Sequence, residues 1–469
     1  MSIDNNINFI RQIEEKFLDK LPVRLGVNKK NELLRLSFEI CRASGASADE
    51  LAEALGLNYL VKAGKGGLFA RAKKALMDIR YPSKVDFEDP HIMPLKISPG
   101  RKEAEVWYNS LSPGRIFVEK GIADSAWTRS FLKNFPEADI VPVARTNAAL
   151  AFADTKDPVD IYNSRRKNIV LAENRSSFIK TCPCTKSCRR CGYWILNIGF
   201  GCPIDCSYCY LQTYSNAPGL ILPANVEDYF PRILEMDKSI SGPRRIGTGE
   251  FTDSLALDKY TGYSRMLIPF FRKTRNLVLE LKTKVADIEN VLEKDPHDNV
   301  VISWSINTPA VSQKYEKGGA PLEGRIEAAL SAVKRGYKVG FHFDPIVCYE
   351  GWEEEYRETV GRLFSSGELA ANTEWVSLGT LRYTAGLKQV TENRFADNDI
   401  FYEGEFYGGF DGKLRYPDIQ RINMYDKMLK WIASYGVDGW IYLCMEPEYV
   451  WRESGADIRG YKEDRRRQI

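Results

Sequence analysis

Apolar residues recur at helical spacing through Ile10–Leu21, Leu33–Cys41 and Leu68–Ile79, so the first hundred residues predict helices separated by Gly- and Lys-rich joints. Ser47-Ala-Asp-Glu50, in front of Leu51-Ala-Glu-Ala-Leu55, starts a further helix with a capping box, in which hydroxyl and carboxylate each serve an orphan amide. No convincing recognition helix follows, which favours a plain helical bundle over a helix-turn-helix. Lys62-Ala-Gly-Lys-Gly-Gly67 lacks the Gly-Lys-Ser/Thr ending of a phosphate loop and reads as a flexible joint.

From about residue 115 the period changes. Arg115-Ile-Phe-Val-Glu119, Ile140-Val-Pro-Val143 and Asn168-Ile-Val-Leu171 are short buried-strand patterns, and Ser125–Phe135 reads as a helix that Asp124 caps. After Trp194 the alternation becomes regular, with strands expected near 194–200, 244–249, 277–284, 300–306, 338–347, 374–382 and 440–445. Amphipathic helices, among them Val226–Ile240, Leu322–Arg335, Trp352–Phe364 and Asp418–Tyr435, fill the gaps. Repeated strand-helix units imply a parallel sheet, and this many imply a full or partial β/α barrel. The fold class is therefore α/β. The expected organisation is a helical region over 1–105, a small α/β segment over 106–180, a barrel with a C-terminal hairpin over 181–455 and a basic tail over 456–469.

Composition narrows the class. With 469 residues, 44% of them hydrophobic and 28% charged, the chain can bury a sizeable core. No apolar run is long enough to span a bilayer and Met-Ser-Ile-Asp-Asn-Asn is no signal peptide, so a cytoplasmic protein without membrane contact is expected. A net charge of +3 does not by itself argue for nucleic acid, and Arg465-Arg-Arg467 reads as a solvated tail. Seven of the ten cysteines crowd into residues 182–209, which suits metal ligation in a reducing compartment better than a disulfide framework.

Three of them stand in Gly201-Cys202-Pro-Ile-Asp-Cys206-Ser-Tyr-Cys209-Tyr210, directly after the first barrel strand. Three thiolates can hold three irons of a cubane cluster and leave the fourth iron for a chelating ligand, whereas an electron-carrying cluster normally takes four. Barrel active sites form at the carboxyl ends of strands, where this loop falls. The second strand ends in Gly247-Thr-Gly249-Glu250, two glycines that let backbone approach a ligand and an acid suited to an ammonium group. Lys282-Thr-Lys284 ends the third strand and Ser305-Ile-Asn307 the fourth. A further group, Cys182-Pro-Cys184-Thr-Lys-Ser-Cys188-Arg-Arg-Cys191, has spacings that permit zinc or a second iron–sulfur cluster. Of the three histidines, His342 reads as a satisfied core residue, and His91 and His297 sit in Pro-containing loops with no evident role.

The cysteine spacing resembles the radical S-adenosylmethionine superfamily, in which the methionine amine and carboxylate occupy the open iron. From Arg115 onward the chain is similar to the spore photoproduct lyase family. The resemblance rests on Cys202–Thr213, Thr252-Asp253 with Asp258, Lys282-Thr-Lys284, Ser305-Ile-Asn307, Arg325-Ile-Glu-Ala-Ala329 and Glu350-Gly-Trp352. It implies a 4Fe–4S cluster on Cys202, Cys206 and Cys209, with S-adenosylmethionine cleaved to a 5′-deoxyadenosyl radical. That radical abstracts hydrogen from a thymine–thymine adduct in DNA, whose methylene bridge then breaks, and a flavodoxin or ferredoxin supplies the electron. Gly247, Gly249, Glu250, Thr252, Lys284, Ser305 and Asn307 would line the cofactor and substrate site, and Tyr208 and Tyr210 would return the hydrogen atom.

Two departures stand out. The lyases quench the product radical with a cysteine after the second strand, and here alignment around Thr252-Asp253 places Glu250 there. A carboxylate cannot give up a hydrogen atom as a thiol does. Cys348, closing the His342–Cys348 strand, is the candidate replacement by strand-end logic, against the reading that it packs as a small hydrophobe. Residues 401–416 read as the hairpin that the lyases insert at the DNA lesion, yet it carries Glu403, Glu405 and Asp411 against Lys413 and Arg415. Acids facing phosphates count against a duplex substrate. Two alternatives therefore stand beside photoproduct repair: the same radical chemistry on another nucleic acid or small molecule, and a non-catalytic iron–sulfur protein that binds DNA through its helical region.

Overall fold

A computed structural model describes residues 3–16, 18, 21, 25–56, 67–80, 91–92, 111–146, 163, 167–185, 187–214, 219–395, 398–409 and 411–456. The chain divides into two compact units, residues 1–98 with 401–421 and residues 99–400 with 422–469. The Lys62–Gly67 joint lies largely outside the described residues, and the Arg465–Arg467 tail wholly so. Among the described residues no helix is long and apolar enough to cross a membrane.

The first unit is helical, as the apolar spacing predicts, with helices at Ile3–Lys16, Val27–Ser44, Ala48–Ala54 and Leu68–Arg80. Ser47 caps the third in the expected way: its Oγ accepts from the Glu50 amide at 3.2 Å while Glu50 accepts from the Ser47 amide at 2.7 Å. Leu33, Leu36, Leu51, Ala72 and Leu76 share one core. The 401–416 hairpin belongs to this unit and not to the barrel. Its strands Tyr407–Gly408 and Lys413–Arg415 pair antiparallel around Gly412, whose φ of +73° accommodates the turn.

The hairpin acids do not act as the sequence suggests. Glu405 is buried and paired with Arg80 at 2.7 Å, Arg35 donates to the Gly404 carbonyl at 3.0 Å, and Asp411 is paired with Arg415 at 2.6 Å. Two of the three acids are thus neutralised within the unit, and the charge argument against a duplex loses its main support.

In the second unit seven parallel strands, β1 (Trp194–Leu196), β2 (Arg244–Gly247), β3 (Leu277–Thr283), β4 (Val300–Ser305), β5 (Lys338–Ile346), β6 (Thr373–Thr380) and β7 (Trp440–Leu443), lie side by side in chain order. Ile179–Thr181 adds an antiparallel edge to β1. The connections carry helices Phe230–Ser239, Tyr263–Phe271, Leu322–Arg335, Trp352–Phe364 and Asp418–Ser434. This is the curled sheet of a partial β/α barrel. Strand β4 is buried along its whole length, the signature of a parallel strand covered on both faces.

The small α/β segment does not end at residue 180. Its parallel strands Asp139–Val143, Arg115–Glu119 and Asn168–Ala172 are joined by Leu220–Pro223, which arrives from beyond the cysteine loop. Phe200 and Ile221 exchange backbone hydrogen bonds of 2.9 and 3.0 Å, so this sheet also holds the start of that loop. An exposed edge strand finds a partner where it can. The helix Ala126–Leu132 is capped by Ser125, whose Oγ accepts from the Thr128 amide at 3.0 Å, and not by Asp124. Ile302, fully buried in β4, anchors the barrel core. Ile302→Ala is expected to lower unfolding free energy by about 2–5 kcal/mol, read from a denaturant titration.

Candidate active site

Strand β1 hands the chain to the cysteine loop through Gly201, at φ +89°, and the loop turns again at Asp205, a non-glycine residue at φ +55°. That strained turn is held by Arg394, which grips both carboxylate oxygens of Asp205 at 2.8 and 2.9 Å. Gln212 donates to Asp205 at 2.8 Å and to the Cys206 carbonyl at 3.0 Å. Thr391 donates to the Ser207 carbonyl at 2.7 Å, and the Gly318 amide to the Ile204 carbonyl at 3.0 Å. A side chain at Gly318 would meet that carbonyl oxygen at 2.8 Å, so glycine is required there.

Among the described residues no three His, Cys, Asp or Glu side chains are arranged to share one metal ion. A cubane asks for something different, because each thiolate binds its own iron and the sulfurs stand apart. Cys202, Cys206 and Cys209 are free thiols close enough to oppose one another's ionisation. Burial pushes all three upward, Cys209 to about 11, while the Lys284 charge pulls Cys206 and Cys209 down. Thiols that need a cation before they ionise are a suitable donor set for a cluster.

Below the loop sits a buried ionic network. Glu316 accepts from Arg325 at 2.6 Å, from Lys284 at 2.7 Å and, through a short hydrogen bond, from the Tyr208 hydroxyl. Lys284 also reaches the Tyr208 oxygen at 3.1 Å. Burial alone would raise the Glu316 carboxyl, but Arg325 and Lys284 outweigh it and hold the group well below the usual carboxylate range. Asn307 lies 3.4 Å from Glu316, donates to the Pro345 carbonyl at 3.0 Å and accepts from Tyr356. The buried Ser305 lends its carbonyl to Arg325 at 2.8 Å.

At the end of β2 the Glu250 carbonyl accepts from Tyr210 at 2.6 Å, and its carboxylate lies 3.2 Å from the same hydroxyl. Of the two tyrosines, Tyr208 is buried in the network and Tyr210 is 41% exposed. The glycines here serve packing: a side chain at Gly247 would strike the Tyr193 hydroxyl at 1.9 Å, and one at Gly249 the Lys282 side chain at 2.9 Å. Thr252 is buried nearby, and Asp253 ties β2 to β3 by accepting from Thr283 at 2.6 Å and the Lys284 amide at 2.8 Å.

Residues 111–437 match the family described as spore photoproduct lyase. The chain belongs to that family. The spore photoproduct lyase of Clostridium acetobutylicum is 28% identical over 246 residues, 52% of this chain and 71% of that one. That of Bacillus subtilis is 28% identical over 257 residues, 54% of this chain and 69% of its own. A solved spore photoproduct lyase complexed with dinucleoside spore photoproduct shares the fold at a TM-score of 0.63 and 21% identity, covering 72% of this chain and 100% of that one. A variant structure with bound AdoMet and dinucleoside spore photoproduct matches with the same score.

The cysteines upstream of β1 are placed differently from Cys202, Cys206 and Cys209. The Cys182 and Cys184 sulfurs are 3.4 Å apart. Cys191 instead lies 3.5 Å from the buried guanidinium of Arg245, which is boxed by Tyr193, Trp375 and Tyr442. Cys188 forms a backbone bridge to Pro447. Cys444, which the sequence did not single out, receives Arg382 at 3.5 Å. Cys348 has Tyr349 and Tyr356 as electrostatic neighbours. His342 is the satisfied core residue expected, paired with Glu280 at 2.8 Å.

Sequence reasoning missed Arg394, whose partner Asp205 lies 189 residues away, and Glu316, whose partners Arg325, Lys284 and Tyr208 lie 9, 32 and 108 residues away on other elements. Glu316→Ala leaves Arg325 and Lys284 buried without a counter-charge, so a loss of about 3–5 kcal/mol is expected in chemical denaturation. Because the folded Glu316 is more acidic than the unfolded one, its stabilisation is whole above the ordinary carboxylate range of about 4 and fades as pH falls through its folded value. Glu316→Gln should therefore flatten the acid side of the stability–pH curve.

Proposed function

We propose that this chain is a radical S-adenosylmethionine lyase that splits a thymine photoproduct in DNA. The reading rests on the Cys202, Cys206 and Cys209 loop at the carboxyl end of β1 in a member of this family. A 4Fe–4S cluster on those thiols, when bound, supplies the electron that cleaves S-adenosylmethionine. Glu250 offers its carboxylate to the methionine ammonium, with Tyr210 fixing the backbone beside it. Lys284, Thr252, Ser305 and Asn307 line the mouth and orient nucleoside and substrate. Lys284 and Arg325 keep Glu316 ionised, which pins the Tyr208 hydroxyl under the cluster loop. A flavodoxin or ferredoxin is the proposed electron donor and the cytoplasm the proposed compartment.

One observation favours a second reading, in which the same radical acts on a different nucleic acid or small molecule. Glu250 stands where the lyases carry their quenching thiol. Anaerobic reconstitution with reductant and S-adenosylmethionine, with and without photoproduct-containing DNA, separates the two. Repair predicts 5′-deoxyadenosine together with two intact thymines restored in the strand. Deoxyadenosine without restored thymines supports the second reading, and neither product from a cluster-loaded protein rejects both in favour of a non-catalytic role. Cys206→Ala is expected to lose the cluster's visible absorbance and to lower deoxyadenosine formation at least ~100-fold, since one thiolate of three is gone.

A further inference from the structure

Breaking a carbon–carbon bond by radical chemistry leaves an unpaired electron on a product carbon, which must then gain a hydrogen atom. Among ordinary side chains the thiol S–H bond yields hydrogen most readily. A carboxylate has none to yield, so Glu250 cannot serve. The structure brings two thiols within electrostatic reach of Glu250.

Cys182 and Cys184 precede β1 in the chain, with their sulfurs 3.4 Å apart. Cys182 packs in one apolar cluster with Tyr193, Ile195 and Phe251, the last of these the residue after Glu250. Its amide is fixed on the Tyr193 carbonyl at 3.0 Å. Phe251 stacks on Tyr214 with ring centroids 5.5 Å apart, and Tyr214 meets Tyr210 edge-on at 5.8 Å. The Tyr210 hydroxyl returns to the Glu250 carbonyl at 2.6 Å. The thiol pair, Glu250 and Tyr210 therefore form one contiguous patch.

We propose that Cys182 is the catalytic hydrogen-atom donor of this enzyme, with Cys184 as the sulfur that shares the radical left behind; this rests on the lyase reading above. In the step the Cys182 S–H bond breaks and a C–H bond forms on the opened product, one hydrogen atom moving with its electron. The unpaired electron on Cys182 is shared with the adjacent Cys184 sulfur. One electron from the flavodoxin or ferredoxin and one proton from solvent then restore the Cys182 S–H bond, and the deoxyadenosine made in the first abstraction leaves as a product.

The test compares wild type, Cys182→Ser, Cys182→Ala and Cys348→Ser, reconstituted and run in D2O on photoproduct-containing DNA, with iron and zinc content measured for each. An exchangeable thiol donor places deuterium in the thymine methyl group of wild type. Both Cys182 variants are expected to keep wild-type iron and still form deoxyadenosine, while deuterated thymine falls at least ten-fold and Cys348→Ser is unaffected. Undiminished deuterated thymine from the Cys182 variants overturns the proposal, and its loss only in Cys348→Ser transfers the role to Cys348. Loss of iron or zinc from both Cys182 variants also overturns it, by assigning the pair to a metal. Deoxyadenosine without any thymine from wild type sinks the lyase reading itself, and the donor with it.

Discussion

The carboxylate of Glu316 organises the centre of the barrel mouth. Fully buried, it would be costly to ionise on its own, and it is ionised because Arg325 and Lys284 close on it from two other segments of the unit. In turn it holds the Tyr208 hydroxyl, which places the side chain between Cys206 and Cys209 under the loop. Lys284 comes from the end of β3, Arg325 from the helix after β4, and Tyr208 from the loop after β1. One charge thus ties the segments after β3 and β4 to the cysteine loop after β1, and strand-end residues that would otherwise be solvated become a preorganised site.

A second clamp works on the loop from its other side. Asp205 is held in a left-handed backbone conformation that few residues adopt, and the bidentate Arg394 makes that conformation hold. Both clamps use arginine, which stays charged when buried: Arg394 takes both oxygens of Asp205, while Arg325 gives one N–H to Glu316 and others to the Ala320 and Ser305 carbonyls. Arginines also sort the remaining thiols: Arg245 takes Cys191, Arg382 takes Cys444, and Cys182 is left beside Cys184. Cysteines that look alike in the sequence are therefore divided by their neighbours into groups with different surroundings.

The barrel was legible because its determinants are local. Apolar runs between turn residues located β1 to β7 within a few positions, and the helices Leu322–Arg335 and Trp352–Phe364 end where the pattern predicts. The Ser47 capping box needs only four consecutive residues and was equally plain. The Asp124 cap was misread by one position, since Ser125 and Asp124 are both competent acceptors and only the backbone direction chooses between them. The hairpin was found but misassigned. Its strands are local, whereas its attachment to the helical unit depends on Arg35 and Arg80, more than three hundred residues earlier.

The sequence by itself determined the alternation of strands and helices, the Cys202, Cys206 and Cys209 spacing, and the position of Glu250 after the second strand. Each is set by residues within one turn or one strand of one another. Tertiary structure alone decided that Glu316 and Arg394 are the supports of the loop, that Glu405 is neutralised by Arg80, and that Cys182 pairs with Cys184 beside Phe251. Those contacts follow from where the curled sheet carries its strand ends, and long-range ion pairs leave no periodic trace along a chain.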